Sequence, residues 1–234
     1  MSDTLTVVLP TLNEGGNIGP LLAGLRESLA GARPQFLVVD GGSSDRTRAE
    51  AEAAGATVRE NLQGYAASLL QGLREAGTGW VLVLDADGSH RPEDARLLWE
   101  ARTDADLVVG SRFAKGGGSA GSAYRRFLSR LLAGLFATFA RLPARDVSSG
   151  FRLYRQAMFA EAAPPVRFFE VQPALLAHAK VKGARVKEVG IFYAQRGAGR
   201  SKNRIWTYGW AFLRCLWRLR RQMRGASTGG ASRL

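Results

Sequence analysis

Through the first half of the chain, short β-rich apolar runs alternate with stretches whose apolar residues return every three or four positions. The runs at 5–9 (LTVVL), 36–40 (FLVVD), 56–59, 80–84 (WVLVL) and 107–110 are predicted as strands. Between them, residues 17–30, 45–54, 64–75 and 93–102 carry helical spacing and good helix formers. Strands that are apolar on both faces must be covered on both, so a mostly parallel sheet flanked by helices is expected. In such a sheet, ligands bind beyond the carboxyl ends of the strands. Polar clusters follow four of these runs, at 10–14, 40–45, 85–90 and 111–112.

The second half is patterned differently. Residues 115–122 (KGGGSAGS) break the periodicity and are predicted as a mobile loop. The stretch 123–142 is amphipathic, with Phe127, Leu131, Leu135, Phe136 and Phe139 set against Arg125, Arg126, Arg130 and Arg141. A further helix is predicted over 169–182 and a strand over 185–194. The expected organisation is one α/β domain over 1–203, an amphipathic helix over 204–224 and a disordered Gly/Ser/Ala-rich tail over 225–234. No internal repeat interrupts this plan.

With 46% apolar residues the chain has the means to build a core, and 33 Lys+Arg against 20 Asp+Glu leave it at +13. Such an excess needs an anionic partner: nucleic acid, anionic lipid head groups or phosphorylated substrates. Neither zinc-finger spacing, nor an aromatic RNA-binding pattern, nor an early basic recognition helix is present, so nucleic acid is not expected. Cys215 is the single cysteine, which rules out an intrachain disulfide and a cysteine-based zinc site. No signal-peptide pattern opens the chain, and no apolar stretch reaches the roughly 18–20 residues a membrane span needs. The last predicted helix places Trp206, Trp210, Phe212, Leu213, Leu216, Trp217 and Leu219 among Arg214, Arg218, Arg220, Arg221 and Arg224. Tryptophan beside arginine suits a helix lying in a membrane interface; the alternative is a core-packed helix with its arginines in water.

The polar clusters carry the candidate chemistry. Asp85-Ala86-Asp87 follows an apolar run, and two carboxylates two residues apart in a turn can face one hard divalent cation that also binds phosphate. The alternative is a solvated turn in which Asp caps the helix that begins near Pro92. Asp40 can accept hydrogen bonds from a base or ribose, with Gly41 and Gly42 allowing close backbone approach and Asp45 capping the next helix. Residues 10–14 supply a third polar edge to the same cleft. Between Arg196 and Lys202, basic anchors flank glycines, as in a loop that closes over an anionic ligand.

These pieces, in this order, resemble the family-2 glycosyltransferases. The resemblance rests on VVLPTLNEGGNI, VVDGGSSDRT and LDADGSHRPED in the first half. Further on, GSRF (110–113), RDVSSGFRLYR (145–155) and IFYAQRGAGRSK (191–202) are similar to the polyprenyl-phosphate sugar synthases, above all the dolichyl-phosphate mannose synthases. The likeness spans roughly residues 5–215. It implies a GT-A (Rossmann-like) α/β fold with a C-terminal amphipathic helix, and an inverting transfer of mannose from GDP-mannose to a polyprenyl or dolichyl phosphate. It implies that Pro10, Leu12, Glu14, Asp40, Asp85, Ala86 and Asp87 line the nucleotide-sugar site. Asp85 and Asp87 would bind Mg²⁺ or Mn²⁺ with Ser89 placed to supply a third ligand, and Arg112, Arg196 and Lys202 would hold phosphates. Arg125, Arg126 and Arg130 would grip the acceptor phosphate, or else form the solvated face of their helix.

In three places the chain departs from the family's pattern. Gly41 stands where a second acid is usual, Gly88 replaces an apolar residue, and Glu170 and Gln172 exchange an acid and an amide. A UDP-sugar donor, a soluble or glycan acceptor, or an inactive membrane-bound scaffold stay open as alternatives. So do a membrane-protein partner and a homo-oligomer. The expected location is the cytoplasmic face of the membrane, with 205–224 and 127–142 resting on anionic lipid.

Overall fold

In a computed structural model, residues 3–120, 122–166 and 170–194 are described, apart from the side chain of Arg125. Seven strands form one sheet in the order β3-β2-β1-β4-β7-β5-β8. They are β1 (Leu5–Thr11), β2 (Gln35–Asp40), β3 (Thr57–Glu60), β4 (Trp80–Val83), β5 (Leu107–Ser111), β7 (Arg152–Arg155) and β8 (Val186–Gly190). All neighbours run parallel except β7, which lies antiparallel between β4 and β5. A small parallel pair, β6 (Gly118–Ser119) with β9 (Phe192–Tyr193), stands beside the main sheet.

The period-two alternation of the strands feeds two cores. Val8, Val39, Val81, Val83 and Val109 face one way, toward α3 (Tyr65–Glu75) and α7 (Val171–Val181). Val7, Leu9, Val38, Leu82 and Val108 face the other, toward α1 (Ile18–Ser28) and α4 (Pro92–Glu100). The remaining helices are α2 (Thr47–Ala53), α5 (Ala123–Phe139) and α6 (Gln156–Phe159). Helix α3 approaches β1 so closely that a Cβ on Gly72 would overlap Val8 Cγ1.

The five predicted strands are present within two residues of their expected ends. Three expectations need correcting. Residues 115–122 are not simply a loop: β6 lies within them, and a Cβ on Gly117 or Gly190 would strike the backbone facing it, so these glycines permit tight packing. The predicted strand 185–194 is two strands broken at Ile191, because β8 pairs with β5 and β9 with β6. Strand β7 was not predicted, since its sequence RLYR carries arginine at both ends and shows no apolar run. The predicted helix 204–224 and tail 225–234 lie outside the described residues.

Candidate active site

At the carboxyl ends of β1 and β2, two loops are sewn into one rim. Gly41 donates its amide to Thr11 O, Asn13 to Ser43 Oγ, Ser44 to Asn13 Oδ1, and Glu14 to Thr47 Oγ1, all at 2.8–2.9 Å. Asn13 takes φ 57°, a left-handed conformation that a short amide side chain tolerates. Asp45 accepts the amides of Thr47 and Gly15, tying the start of α2 to the loop after β1. Along this rim Leu12 is exposed, Glu14 half-buried and bonded by Asn17 Nδ2, and Pro10 buried within β1.

Asp40 does not present a free edge. Its side chain is fully buried and accepts from the Ser43 hydroxyl, the Ser43 and Gly42 amides, and Arg48 Nε at 2.7 Å. Burial pushes its pKa up, but the Ser43 hydroxyl and amide, Arg48 and the Gly42 amide outweigh this and hold it below the ordinary value. The acid expected to meet the nucleoside is thus held by its own turn and by Arg48 of α2.

Beyond β4 the two acids of Asp85-Ala86-Asp87 sit in different surroundings. Asp85 leaves 23% of its side chain exposed and accepts the Tyr65 hydroxyl at 3.1 Å on Oδ1. Gly150 lies against it: a Cβ there would stand 3.3 Å from both carboxylate oxygens. Asp87 is buried and its Oδ1 takes both the amide and the hydroxyl of Ser89, while Ala86 packs into the core below. Ser89 was expected as a third metal ligand. It is fully buried, and its hydroxyl donates to Asp87 Oδ1. Gly88, at φ 75°, makes this turn possible, which accounts for a glycine where an apolar residue was expected.

No group of three or more His, Cys, Asp or Glu side chains converges among the described residues. Two carboxylates at the end of a strand nonetheless fit a hard divalent ion whose other positions are filled by phosphate and water oxygens. His90 stands next to them, 3.8 Å from Asp85 Oδ2, between the rings of Phe151 and Tyr193. It is buried and neither ring nitrogen has a hydrogen-bond partner. His178, by contrast, is a helix-face residue whose Nε2 lies 2.9 Å from Met158 O.

Arg112, at the end of β5, is clamped. Its Nε and Nη2 engage the buried Asp146 at 2.8 and 2.7 Å, and Nη2 also donates to Ser148 Oγ. Burial opposes the charge, but the Asp146 carboxylate prevails and the guanidinium pKa is raised. Asp146 is fixed in turn: its own amide and that of Arg145 donate to the Glu188 carboxylate, each at 3.0 Å. Sequence reasoning missed Asp146 and Glu188, although both lie in or near the motifs that flank Arg112.

Gln172 reaches the site from α7 and donates Nε2 to Tyr65 Oη at 3.1 Å, whereas Glu170, at the start of that helix, is half-buried. Helix α5 carries the remaining candidate arginines. Arg126 and Arg130 are exposed on it, Arg125 belongs to the same turn, and Phe127, Leu131, Leu132, Leu135 and Phe139 are all exposed. Arg196 and Lys202 lie outside the described residues.

Residues 6–162 match the family model for Glycosyl transferase family 2. The chain is 29% identical to a dolichol-phosphate mannosyltransferase of Pyrococcus furiosus across 92% of its length, but spans only 63% of that protein. It is 32% identical to a polyprenol monophosphomannose synthase of Mycolicibacterium smegmatis over 84% of this chain and 79% of the relative. Among solved structures, glucosyl-3-phosphoglycerate synthase of Mycobacterium tuberculosis, in complex with Mn²⁺, uridine diphosphate and glucosyl-3-phosphoglycerate, shares the fold. The TM-score is 0.66 at 22% identity, over 90% of this chain and 76% of that one. By fold, strand-end acids and sequence, this chain belongs to glycosyl transferase family 2.

Proposed function

We propose that the protein is an inverting hexosyltransferase that moves mannose from GDP-mannose to the phosphate of a polyprenyl or dolichyl lipid at the cytoplasmic membrane face. The observation that carries the lipid acceptor is α5, which exposes Phe127 at 66%, Leu132 at 57% and Leu135 at 60% beside Arg126 and Arg130. An apolar face next to arginines suits a surface of hydrocarbon and phosphate better than it suits water. The relatives named above, one a dolichol-phosphate mannosyltransferase and the other a polyprenol monophosphomannose synthase, favour the same acceptor and mannose.

In this reading Asp85 and Asp87 would hold Mg²⁺ or Mn²⁺, and the ion would offset charge on the departing diphosphate. Ser89 and Tyr65 hold the two carboxylates in place, and the rim of Leu12, Glu14 and the 40–45 turn flanks the nucleoside. Arg112, its charge partly met by Asp146, offers directed N–H donors to phosphate rather than a bare charge. Arg126 and Arg130 would face the acceptor phosphate, and Arg125, Arg196 and Lys202 would add their charges. A lipid phosphate is anionic at neutral pH, so attack on the anomeric carbon needs no general base. His90, buried and without a hydrogen-bond partner, is not required as one.

The test is a panel of GDP-mannose, UDP-glucose and UDP-GlcNAc, each supplied with a membrane lipid extract, with and without Mn²⁺. Lipid-linked mannose formed only from GDP-mannose and only with the cation is the expected result, and Asp87→Ala should abolish it. A lipid product from UDP-glucose would move the donor to the uridine class represented by the mycobacterial structure's ligand. Sugar transfer to soluble acceptors alone would refute the lipid reading.

A further inference from the structure

Tyr65 opens α3 directly after Gly64, whose φ of 94° turns the chain into the helix. Its hydroxyl lies 3.1 Å from Asp85 Oδ1 and 3.1 Å from Gln172 Nε2. An ionised carboxylate only accepts hydrogen bonds, and an amide nitrogen only donates them. The single phenolic proton therefore goes to Asp85, and the phenol oxygen receives the Gln172 amide. The donor sense runs one way, from Gln172 through Tyr65 to Asp85.

The far end of this chain of donors is anchored in the core. Gln172 is fully buried in the first turn of α7, and its main-chain carbonyl accepts Arg152 Nη1 at 2.7 Å. Arg152 is itself fully buried, donates Nη2 to Val147 O at 3.0 Å, and lies opposite Val83, two residues before Asp85. Gln172 Oε1 is buried with no hydrogen-bond partner. Reversing the amide would point that oxygen at Tyr65, where it would compete with Asp85 for one proton. The orientation that serves Asp85 is held even though it leaves an acceptor unsatisfied, a cost the fold would otherwise avoid.

We propose that Tyr65 and Gln172 are positioning residues for Asp85, and that they work by fixing the rotation of its carboxylate for a divalent cation. The proposal rests on Asp85 being a cation-binding acid, as argued above. Outer partners of a metal-binding carboxylate commonly matter about 10- to 100-fold in affinity. What counts at position 172 is a donor: an acid there would accept, drawing the phenolic proton away from Asp85.

The experiment titrates Mn²⁺ into the purified full chain and follows free Mn²⁺ by electron paramagnetic resonance, with thermal melts of every variant. Tyr65→Phe keeps the ring and removes the hydroxyl; it should weaken Mn²⁺ binding about tenfold. Gln172→Glu should weaken it comparably, and in the Tyr65→Phe background should cause no further loss. That non-additivity is something a merely structural role would not produce. Should Gln172→Glu fail to fold, Gln172→Met replaces it in the cycle, with a smaller loss that also vanishes in the Phe background. Unchanged Mn²⁺ affinity in Tyr65→Phe, or losses that simply add, would overturn the proposal. If the unsubstituted protein takes up no Mn²⁺ while Asp85→Ala matches it, the fault lies with the cation reading of Asp85, and this proposal falls with it.

Discussion

Asp40 ends β2 and Asp85 follows β4, the two parallel strands that flank β1, yet the two acids sit in opposite surroundings. Asp85 keeps part of its carboxylate in the cleft, while Asp40 is closed off by its own turn and by Arg48. For Asp40 the sign of the pH effect follows from its depressed pKa. The stability it contributes is fully present above the ordinary aspartate value of 3.8 and is lost as pH falls through its lower folded value. Asp40→Asn is expected to be less stable than the unsubstituted protein at neutral pH. It should also lose less stability between about pH 5 and 2, as read from urea melts across that range. Parallel pH profiles would show that Asp40 is not a linked group. The positions of both acids were legible in the sequence because each follows an apolar run. Their different surroundings were not, since these depend on how the Ser43 turn closes and on where Arg48 and Tyr65 reach from their helices.

The same distinction holds for whole elements. Parallel strands buried on both faces announce themselves as apolar runs, as β1, β2, β4 and β5 do. Strand β7 hides because Arg152 is buried by carbonyl oxygens rather than by apolar neighbours, so its burial leaves no apolar trace in the sequence. Helix α3 was legible by period, but not the reason for Gly72 within it. That glycine is where the helix lies flat on β1, with Val8 filling the space a side chain would need. Gly72→Ala gains helix propensity but must displace Val8, and overpacking of a fitted core commonly costs about 1–3 kcal/mol. A lower thermal midpoint is expected; an unchanged or higher one would mean the helix can lift away from the sheet without loss.

For the molecule as a whole, the charge of +13 and the apolar face of α5 converge on one expectation. No described helix is long and apolar enough to cross a membrane, so attachment through α5 would be to one leaflet. The protein should co-sediment with anionic liposomes more than with neutral ones, and less as salt rises, at roughly 1 kcal/mol for each well-placed arginine. Replacing Leu131, Leu132 and Leu135 together by serine should reduce binding to both kinds of liposome. If the triple variant binds as before, α5 is not the attachment face. Sequence alone located this helix and its arginines, but how much of its apolar surface the core would cover needed the packed structure: Phe136, Ala137 and Ala140 are buried, while Phe127, Leu131, Leu132 and Leu135 are exposed.

The antiparallel insertion of β7 also dictates an order of assembly. Strands β1 to β4 can pair among themselves as soon as they leave the ribosome, because their partners are close in sequence. Strands β5 and β8 can join each other but not that first group, for β7 is the strand that touches both β4 and β5. Until residues 152–155 have been synthesised and have turned back, the nascent chain carries a four-stranded half-sheet with a raw edge at β4 and an unpaired β5, because β8 is made only afterwards. During that interval the open edge of β4 is a template for pairing with another chain. A ribosome stalled before residue 152 would therefore release the most aggregation-prone form of this protein, and a chaperone acting on it would find its work there.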